Sequence, residues 1–140
     1  MKAWHFANYD DFLKYGDGRK IILGETLSVE GTPKLCSHGL HGNVSILDAM
    51  KYAGGPNLWL VEITGNVQIG DDKICGNSRK ALVQYGNILP LIVEFSFWCS
   101  SRAAESTKSA AKYAEYAESA AKYERQAQED WWTEKLSQLK

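Results

Sequence analysis

The chain has 140 residues, about one domain's worth, and its 16 basic and 17 acidic side chains leave a net charge of −1. A near-neutral chain lacks the basic excess that nucleic-acid and anionic-membrane binders need, so we expect neither kind of partner. Three cysteines and an N-terminus without an apolar signal segment predict free thiols in a reducing cytoplasm.

Glycine and proline divide the sequence into two parts near residue 87. All twelve glycines lie at or before Gly86, and neither residue type follows Pro90. Both residue types disfavour helix interiors, so their absence predicts a helix. We therefore expect an α+β protein: a small strand-rich N-terminal domain at 1–86 with one short helix, and a long alanine-rich C-terminal helical tail at 87–140, bent near 100–101.

Several segments of the first part have the composition of β-strands. The short ones are 2–6, 19–23, 26–29, 34–36 and 67–69. The segment 58–64 alternates between two largely apolar faces, which predicts a central strand buried on both sides. The segment 78–85 fits either a strand or a helix, and both assignments stay open.

Capping residues predict where two helices begin. Ser45 is a suitable N-cap with Asp48 three residues later, and Gly54 ends the apolar helical pattern that follows. Asn87 can cap the tail helix, because Pro90 then falls in the first helical turn, where its missing N–H is harmless.

The tail carries an alanine stripe beside a stripe of aromatic side chains. One interpretation is that the tail folds back and buries its tryptophans as ordinary core residues. The other is that it packs against a second copy or a partner protein, since small side chains let another helix approach closely. On the second interpretation the partner-binding residues are Tyr113, Tyr116, Tyr123, Trp131, Trp132 and Leu136.

The densest cluster of metal-ligand residue types lies at 36–41. Cys36, His38 and His41 are natural zinc ligands, and Cys75 would supply a fourth. Their spacing fits no standard zinc finger, and a glycine turn with solvent-facing histidines explains the cluster equally well. We therefore expect no metal and no other cofactor.

Two arrangements suggest catalysis. Cys36 and His41 are the residue types of a nucleophile and its base, although no third group that would orient the base is identifiable. Glu62 lies among apolar residues, and a buried glutamate with a raised pKa suits acid–base chemistry. The alternative is that Glu62 reaches the edge of its strand or pairs with a lysine.

The order of short motifs resembles an uncharacterised family of small phage and prophage proteins. The motifs are Leu-Cys…Gly-Leu-His at 35–41, Val-Glu-x-x-Gly at 61–65, Asp-Asp-Lys at 71–73 and Phe-x-x-Trp-Cys at 95–99. The resemblance implies an accessory protein in the host bacterial cytoplasm. Such a protein would bind a host or defence factor, as an anti-defence inhibitor for example, and its helical tail would oligomerise or bind the partner.

A second likeness is to the mono-ADP-ribosyltransferase core. It lies in the Gly-x-His turn, a helix ending in Tyr-Ala and a strand bearing Val-Glu, with His41 and Glu62 at the matching positions. This likeness implies an enzyme that binds NAD or another nucleotide. We expect a non-enzymatic interaction protein first, this transferase as the alternative, and a virion or assembly role third.

Overall fold

The computed structural model describes residues 1–14, 17–110 and 117–139, with side chains outside 105–120. The chain divides into an N-terminal unit, Met1–Ile88, and a helical unit, Leu89–Lys140. The N-terminal unit contains β1 (Lys2–Ala7), β2 (Thr26–Ser28), β3 (Leu40–Gly42), α1 (Ile46–Lys51), β4 (Asn57–Thr64), β5 (Gln68–Ile69), β6 (Ile74–Gly76) and β7 (Ser78–Asn87). This strand-rich region followed by helices confirms the mixed α and β class.

The main sheet of the N-terminal unit has four antiparallel strands in the order β1-β4-β7-β2. Strand β4 lies in its interior, as the alternating apolar pattern predicted. One face carries Trp59, Val61 and Ile63, each at most 1% exposed. Ala3 on β1 and Ala81 on β7 continue this face and belong to the same hydrophobic core. Burial of these side chains is the main term that stabilises the unit.

A buried aspartate fastens the loop after β1 to the main sheet. The carboxylate oxygen Oδ1 of Asp11 accepts a hydrogen bond of 2.9 Å from Trp59 Nε1 and one of 3.1 Å from Asn57 Nδ2. The Asp11 carbonyl also accepts from the Ile21 N–H at 3.0 Å. Asp11 has a φ of 61°, a left-handed conformation that few residues other than Gly, Asn and Asp adopt readily.

The second sheet has three strands in the order β3-β6-β5. Its close approach to β4 requires glycine at one position, because a Cβ on Gly76 would lie 2.5 Å from the Thr64 carbonyl oxygen. Helix α1 follows β3, and its predicted cap is confirmed: Ser45 Oγ accepts from the Leu47 N–H at 3.1 Å. Residues of β3 and α1 line part of the cleft described below.

The structure differs from the sequence-based expectations at two predicted strands and at the start of the tail helix, and it decides one segment that the sequence left open. Residues 19–23 and 34–36 form isolated bridges and turns instead of strands. The backbone groups of these two segments form hydrogen bonds within turns or with neighbouring loops instead of with a strand. The Lys34 N–H, for example, donates to the His38 carbonyl. The ambiguous segment 78–85 lies in β7, because its backbone pairs with β4. Strand β7 reaches Asn87, so the tail helix begins at Leu89 instead of directly after Asn87.

The helical unit contains α2 (Leu89–Ala110) and α3 (Ala117–Ser137). Their ion pairs, Arg102–Glu124 at 2.8 Å and Glu94–Lys135 at 2.7 Å, show that the helices run antiparallel. A four-residue aromatic cluster joins them, with ring centroids 5.0–6.1 Å apart; its members are Phe95, Trp98, Trp131 and Trp132.

The prediction of one long helical tail was therefore wrong, since two helices pack side by side. Helix α2 also continues through Ser100 and Ser101, where the sequence suggested a bend. The physical reason is the apolar area of the aromatic cluster, which a single straight helix would leave in water. Among the residues described, neither long helix combines the length and apolar character needed to cross a bilayer.

Candidate functional site

The N-terminal unit contains a cleft made of two adjoining cavities of about 600 and 320 Å³. Both cavities are lined by His5, Phe6, Cys36, His41 and Tyr52. The larger adds Lys14 and Arg79, and the smaller adds Lys73. We call this site, with its three cationic side chains, the basic cleft. Its volume lies in the range of small-molecule sites.

Arg79 is the most deeply buried charged group of the basic cleft. It lies on β7 opposite Ile63, on the core face of the sheet, and is 4% exposed. Its Nη1 donates to the His41 carbonyl oxygen at 2.8 Å and points to His5 Nδ1 at 3.4 Å. Its Nη2 is buried and has no hydrogen-bond partner in the part of the chain that the structure describes. Burial lowers the Arg79 pKa to about 10, so the side chain stays cationic at neutral pH.

Two of the three histidines that line the basic cleft, His5 and His41, are neutral at pH 7. His41 Nε2 accepts from the Cys36 backbone N–H at 3.1 Å, which leaves Nδ1 to donate to the Gly39 carbonyl at 3.1 Å. Burial, with nearby Lys73 and Arg79, lowers the His41 pKa. Burial and the Arg79 charge lower the His5 pKa well below its usual value. His5 and His41 therefore add no positive charge to the cleft at pH 7, and Lys14, Lys73 and Arg79 supply its cationic groups.

Cys36 lies at the junction of the two cavities, with an exposed thiol. Its sulfur accepts a hydrogen bond of 3.2 Å from the Lys73 ammonium group. That ammonium lies 3.9 Å from the Tyr52 ring centroid, and the Tyr52 hydroxyl donates to Asp72 Oδ2 at 2.6 Å. The aromatic ring and the carboxylate thus help to hold Lys73 beside the sulfur.

Among the described residues, the structure does not group the candidate metal ligands into one site. His38 Nε2 contacts the Glu30 carbonyl, and both His41 ring nitrogens have backbone partners. Cys75 is buried on β6, although it is in register with His41 on β3. Within the described residues, no three Cys, His, Asp or Glu side chains are grouped as metal ligands.

The candidate catalytic residues are not arranged for the chemistry that the sequence suggested. His41 contacts the backbone N–H of Cys36, so its Nε2 is occupied and is not positioned as a base for the thiol. Glu62 lies opposite Lys2 and Lys80 in the main sheet. Because side chains alternate between faces along a strand, Glu62 points to the face opposite the core face of Ile63 and Arg79. It is not among the residues that line either cavity.

The predicted partner-binding residues of the tail fall into three groups. Tyr113 and Tyr116 lie outside the described residues. Trp132 and Leu136 are 1% and 2% exposed, so the structure places them in the interior and not at a surface. Trp131 is half-buried in the aromatic cluster, whereas Tyr123 is 77% exposed. Packing of the two helices accounts for the buried members.

Sequence reasoning assigned no functional role to His5, Lys14 and Arg79, three residues that line the basic cleft. A signal for Arg79 did exist. If 78–85 is taken as a strand, Arg79 lies two residues before Ala81 and so faces the core with it. A buried charge is costly unless it is paired, so an arginine at this position indicates a specific binding contact. No local pattern connects Lys73 with Cys36, because the two are distant in sequence and meet only through the fold.

The lowered histidine pKa values predict a loss of stability in mild acid. The unfolded chain takes up protons on His5 and His41 below about pH 6.5, and the folded protein resists them, so acid favours unfolding. We expect the free energy of unfolding to fall as the pH drops below about 6.5, by at most about 1.4 kcal/mol per pH unit for each of the two histidines. Urea denaturation at each pH measures this slope.

The double variant His5→Gln with His41→Gln is the control for this prediction. Glutamine keeps an acceptor for the Arg79 and Cys36 donors but does not titrate, so the slope should largely disappear. Equal unfolding free energies for the parent protein at pH 7.5 and 5.5 would contradict the prediction.

Comparison with known proteins gave no match to this chain among protein-family models, curated proteins or solved structures.

Proposed function

We propose that the N-terminal unit binds a small anionic ligand in the basic cleft. The observation that carries the proposal is Arg79: a buried, charged guanidinium whose Nη2 has no acceptor among the described residues. A buried donor without a partner is costly. A carboxylate or phosphate oxygen would satisfy it, and the planar guanidinium suits either group.

The charges around the cleft favour an anion. Lys14, Lys73 and Arg79 supply three cationic groups. The acidic side chain that lines the larger cavity, Asp17, is bound to Arg19 with a shortest nitrogen–oxygen distance of 2.7 Å. Most of its negative charge is thus compensated, and the site keeps a positive potential that attracts small anions.

The arrangement of His41 and Glu62 supports binding instead of group transfer. Both ring nitrogens of His41 have backbone partners, and Glu62 lies on the other face of the sheet. The transferase mechanism suggested by the sequence needs both side chains at one substrate. The transferase hypothesis also includes nucleotide binding, which an anion site would support. Nucleotides are therefore among the ligands to be tested.

Calorimetry tests the anion proposal on the full chain. Inorganic phosphate, pyrophosphate, citrate and AMP are titrated at pH 7.5 in low salt, with glucose as a neutral comparator of similar size. We expect saturable heat with one site per chain from at least one anion and none from glucose, and an affinity that weakens as salt rises. No saturable heat from any anion, or equal binding of glucose, would overturn the proposal.

A second function, self-association through the helical unit, is favoured by an exposed apolar stripe on α2. Leu89, Val93 and Phe97 recur every four residues and are 45%, 48% and 72% exposed. The hydroxyls of Ser96 and Ser100 donate to their own helix, so burying these small neighbours leaves no donor unpaired. The stripe is apolar and uncharged, so the same stripe on a second copy of the chain would cover it without burying a charge.

Light scattering tests self-association. We expect a dimer at micromolar concentration for the parent chain and a monomer for Phe97→Ser, with Tyr9→Ser, equally exposed but in the N-terminal unit, as a control for removal of an exposed aromatic residue. A monomeric parent chain would overturn the dimer. The stripe would then remain available to a host or defence protein in the bacterial cytoplasm, the partner that the phage-protein resemblance implies.

A further inference from the structure

We infer that Cys36 is a modification site, at which small anionic disulfides exchange with the protein thiol. The site has three parts: an exposed sulfur on a hydrogen-bonded turn, an ammonium group beside it, and a cationic cavity that leads to it. The preference for anions rests on the proposed anion binding, whereas the reactivity of the sulfur does not.

The backbone presents the Cys36 sulfur at the cleft. Cys36 has a φ of 66°, unusual for a residue with a side chain. Two contacts maintain this conformation: the Cys36 N–H donates to His41 Nε2 at 3.1 Å, and the turn around it closes with the Lys34 N–H donating to the His38 carbonyl at 2.7 Å. A thiol held at the surface in this way is open to attack on a disulfide.

The Lys73 ammonium group supplies the charge that the reaction needs. It lies 3.2 Å from the sulfur, and this hydrogen bond raises the Lys73 pKa, so Lys73 is cationic at neutral pH. The positive charge compensates the negative charge that sulfur carries when it acts as a nucleophile. The Tyr52 ring and Asp72 keep the ammonium group in place.

The cavity selects for a negatively charged reagent. Cys36 and Arg79 line the same cavity, and the unpartnered Nη2 of Arg79 is a second, independent feature that calls for an anion there. A disulfide that carries carboxylates would place them toward the cationic groups while its sulfur atoms meet Cys36. A cationic disulfide would be repelled by the same charges.

The exchange step is balanced without another oxidant. Cys36 loses its proton to solvent, and the thiolate attacks one sulfur of the disulfide. A new sulfur–sulfur bond forms to Cys36 as the original bond breaks, and the departing sulfur leaves with the electron pair as a thiolate. Cys36 is oxidised to a mixed disulfide, and the released half of the reagent is reduced to a thiol.

The other two cysteines provide internal references. Cys75 is buried and Cys99 is half-buried, and burial raises the pKa of each. A buried thiol with a raised pKa is a poor nucleophile and is shielded from the reagent. Modification of the folded chain should therefore be selective for Cys36.

Mass spectrometry of the full chain tests the inference. The chain is mixed with oxidised glutathione, which is anionic, or with cystamine, which is cationic, and each rate is divided by that of a free model thiol. We expect Cys36 to react at least tenfold faster than Cys75 and Cys99, and glutathione disulfide to react at least fivefold faster than cystamine on this scale.

Two substitutions separate the parts of the inference. Lys73→Met should slow the reaction of Cys36 with glutathione disulfide at least fivefold and slow the reaction with cystamine less, because it also removes a charge that repels cystamine; Lys73→Arg should retain most of the rate. Equal rates in the parent chain and Lys73→Met, or no adduct on Cys36, would overturn the modification site. Fast reaction without preference for glutathione disulfide would overturn the anion selectivity, and calorimetry with pyrophosphate then reports separately on the proposed function.

Discussion

Asp11→Ala should lower the free energy of unfolding by about 3–5 kcal/mol, one of the two largest effects that we expect. Alanine removes the acceptor of the Trp59 indole N–H and of one Asn57 bond, and a buried donor left unpaired costs about 1–3 kcal/mol. Alanine also has to adopt the φ of 61° that Asp11 has, at a cost of about 1–2 kcal/mol. Urea denaturation followed by tryptophan fluorescence measures the change.

Two further variants separate the causes. Asp11→Asn keeps a carbonyl oxygen and tolerates the left-handed conformation, so its loss should stay within about 1.5 kcal/mol. Asp11→Gly removes the acceptor but relieves the backbone, and it should fall between Asn and Ala. If Asp11→Ala and Asp11→Asn are equally stable, the hydrogen bonds to Trp59 and Asn57 do not contribute as we argue.

Arg79→Gln should weaken anion binding about 10- to 100-fold, which is the second large effect. The expected loss corresponds to about 1.5–3 kcal/mol, the usual contribution of a hydrogen bond to a charged group. Arg79→Lys keeps the charge but not the planar pair of donors, so we expect an intermediate affinity. Calorimetry with the tightest-binding anion measures each variant.

The matched control for Arg79 is the next residue in the same strand. Lys80 is exposed, and its side chain points to the opposite face of the sheet, so Lys80→Gln removes one charge without touching the cleft. We expect its affinity to stay within about twofold of the parent chain, since an exposed distant charge is well screened. Equal losses for Arg79→Gln and Lys80→Gln would show that net charge, and not the cleft, governs binding.

Stability measurements accompany the binding series, because Arg79 also has a structural contact. Its Nη1 donates to the His41 carbonyl, and Arg79→Gln removes that bond. The loss of unfolding free energy should be modest, because Arg79→Gln also removes a buried charge and its unpartnered nitrogen, both of which destabilise the folded protein. A circular dichroism spectrum like that of the parent chain keeps loss of binding distinct from loss of fold.

Local features of the sequence determined much of the N-terminal unit. The alternation at 58–64 predicted the central strand β4, because side chains on the two sides of a strand meet different neighbours. Ser45 predicted the start of α1, since a hydroxyl there satisfies a free helix N–H. Glycine and proline content separated strands and turns from helices, because backbone preference is a local property.

Long-range contacts decided the rest. The segment 78–85 became strand β7 because β4 offered a partner for its backbone, a choice that its own residues left open. The tail forms two antiparallel helices because Phe95 and Trp98 of α2 contact Trp131 and Trp132 of α3. The alanine-rich composition of the tail does not predict this contact. Helix propensity specified that these residues are helical but not where the helices stop.

The basic cleft depends most on tertiary structure. The sequence suggested that Cys36 and His41 are metal ligands or catalytic residues. In the fold, the Cys36 sulfur is hydrogen-bonded to Lys73 and the His41 ring is hydrogen-bonded to backbone groups. Arg79 is a site residue because strand β7 buries it beside His5 of β1 and His41 of β3. Its own sequence neighbours do not show this placement. The sequence determined most of the secondary structure, because helix and strand preference depends on neighbours along the chain. The tertiary structure decided which side chains meet, because their hydrogen bonds and charge contacts join residues that are distant in sequence.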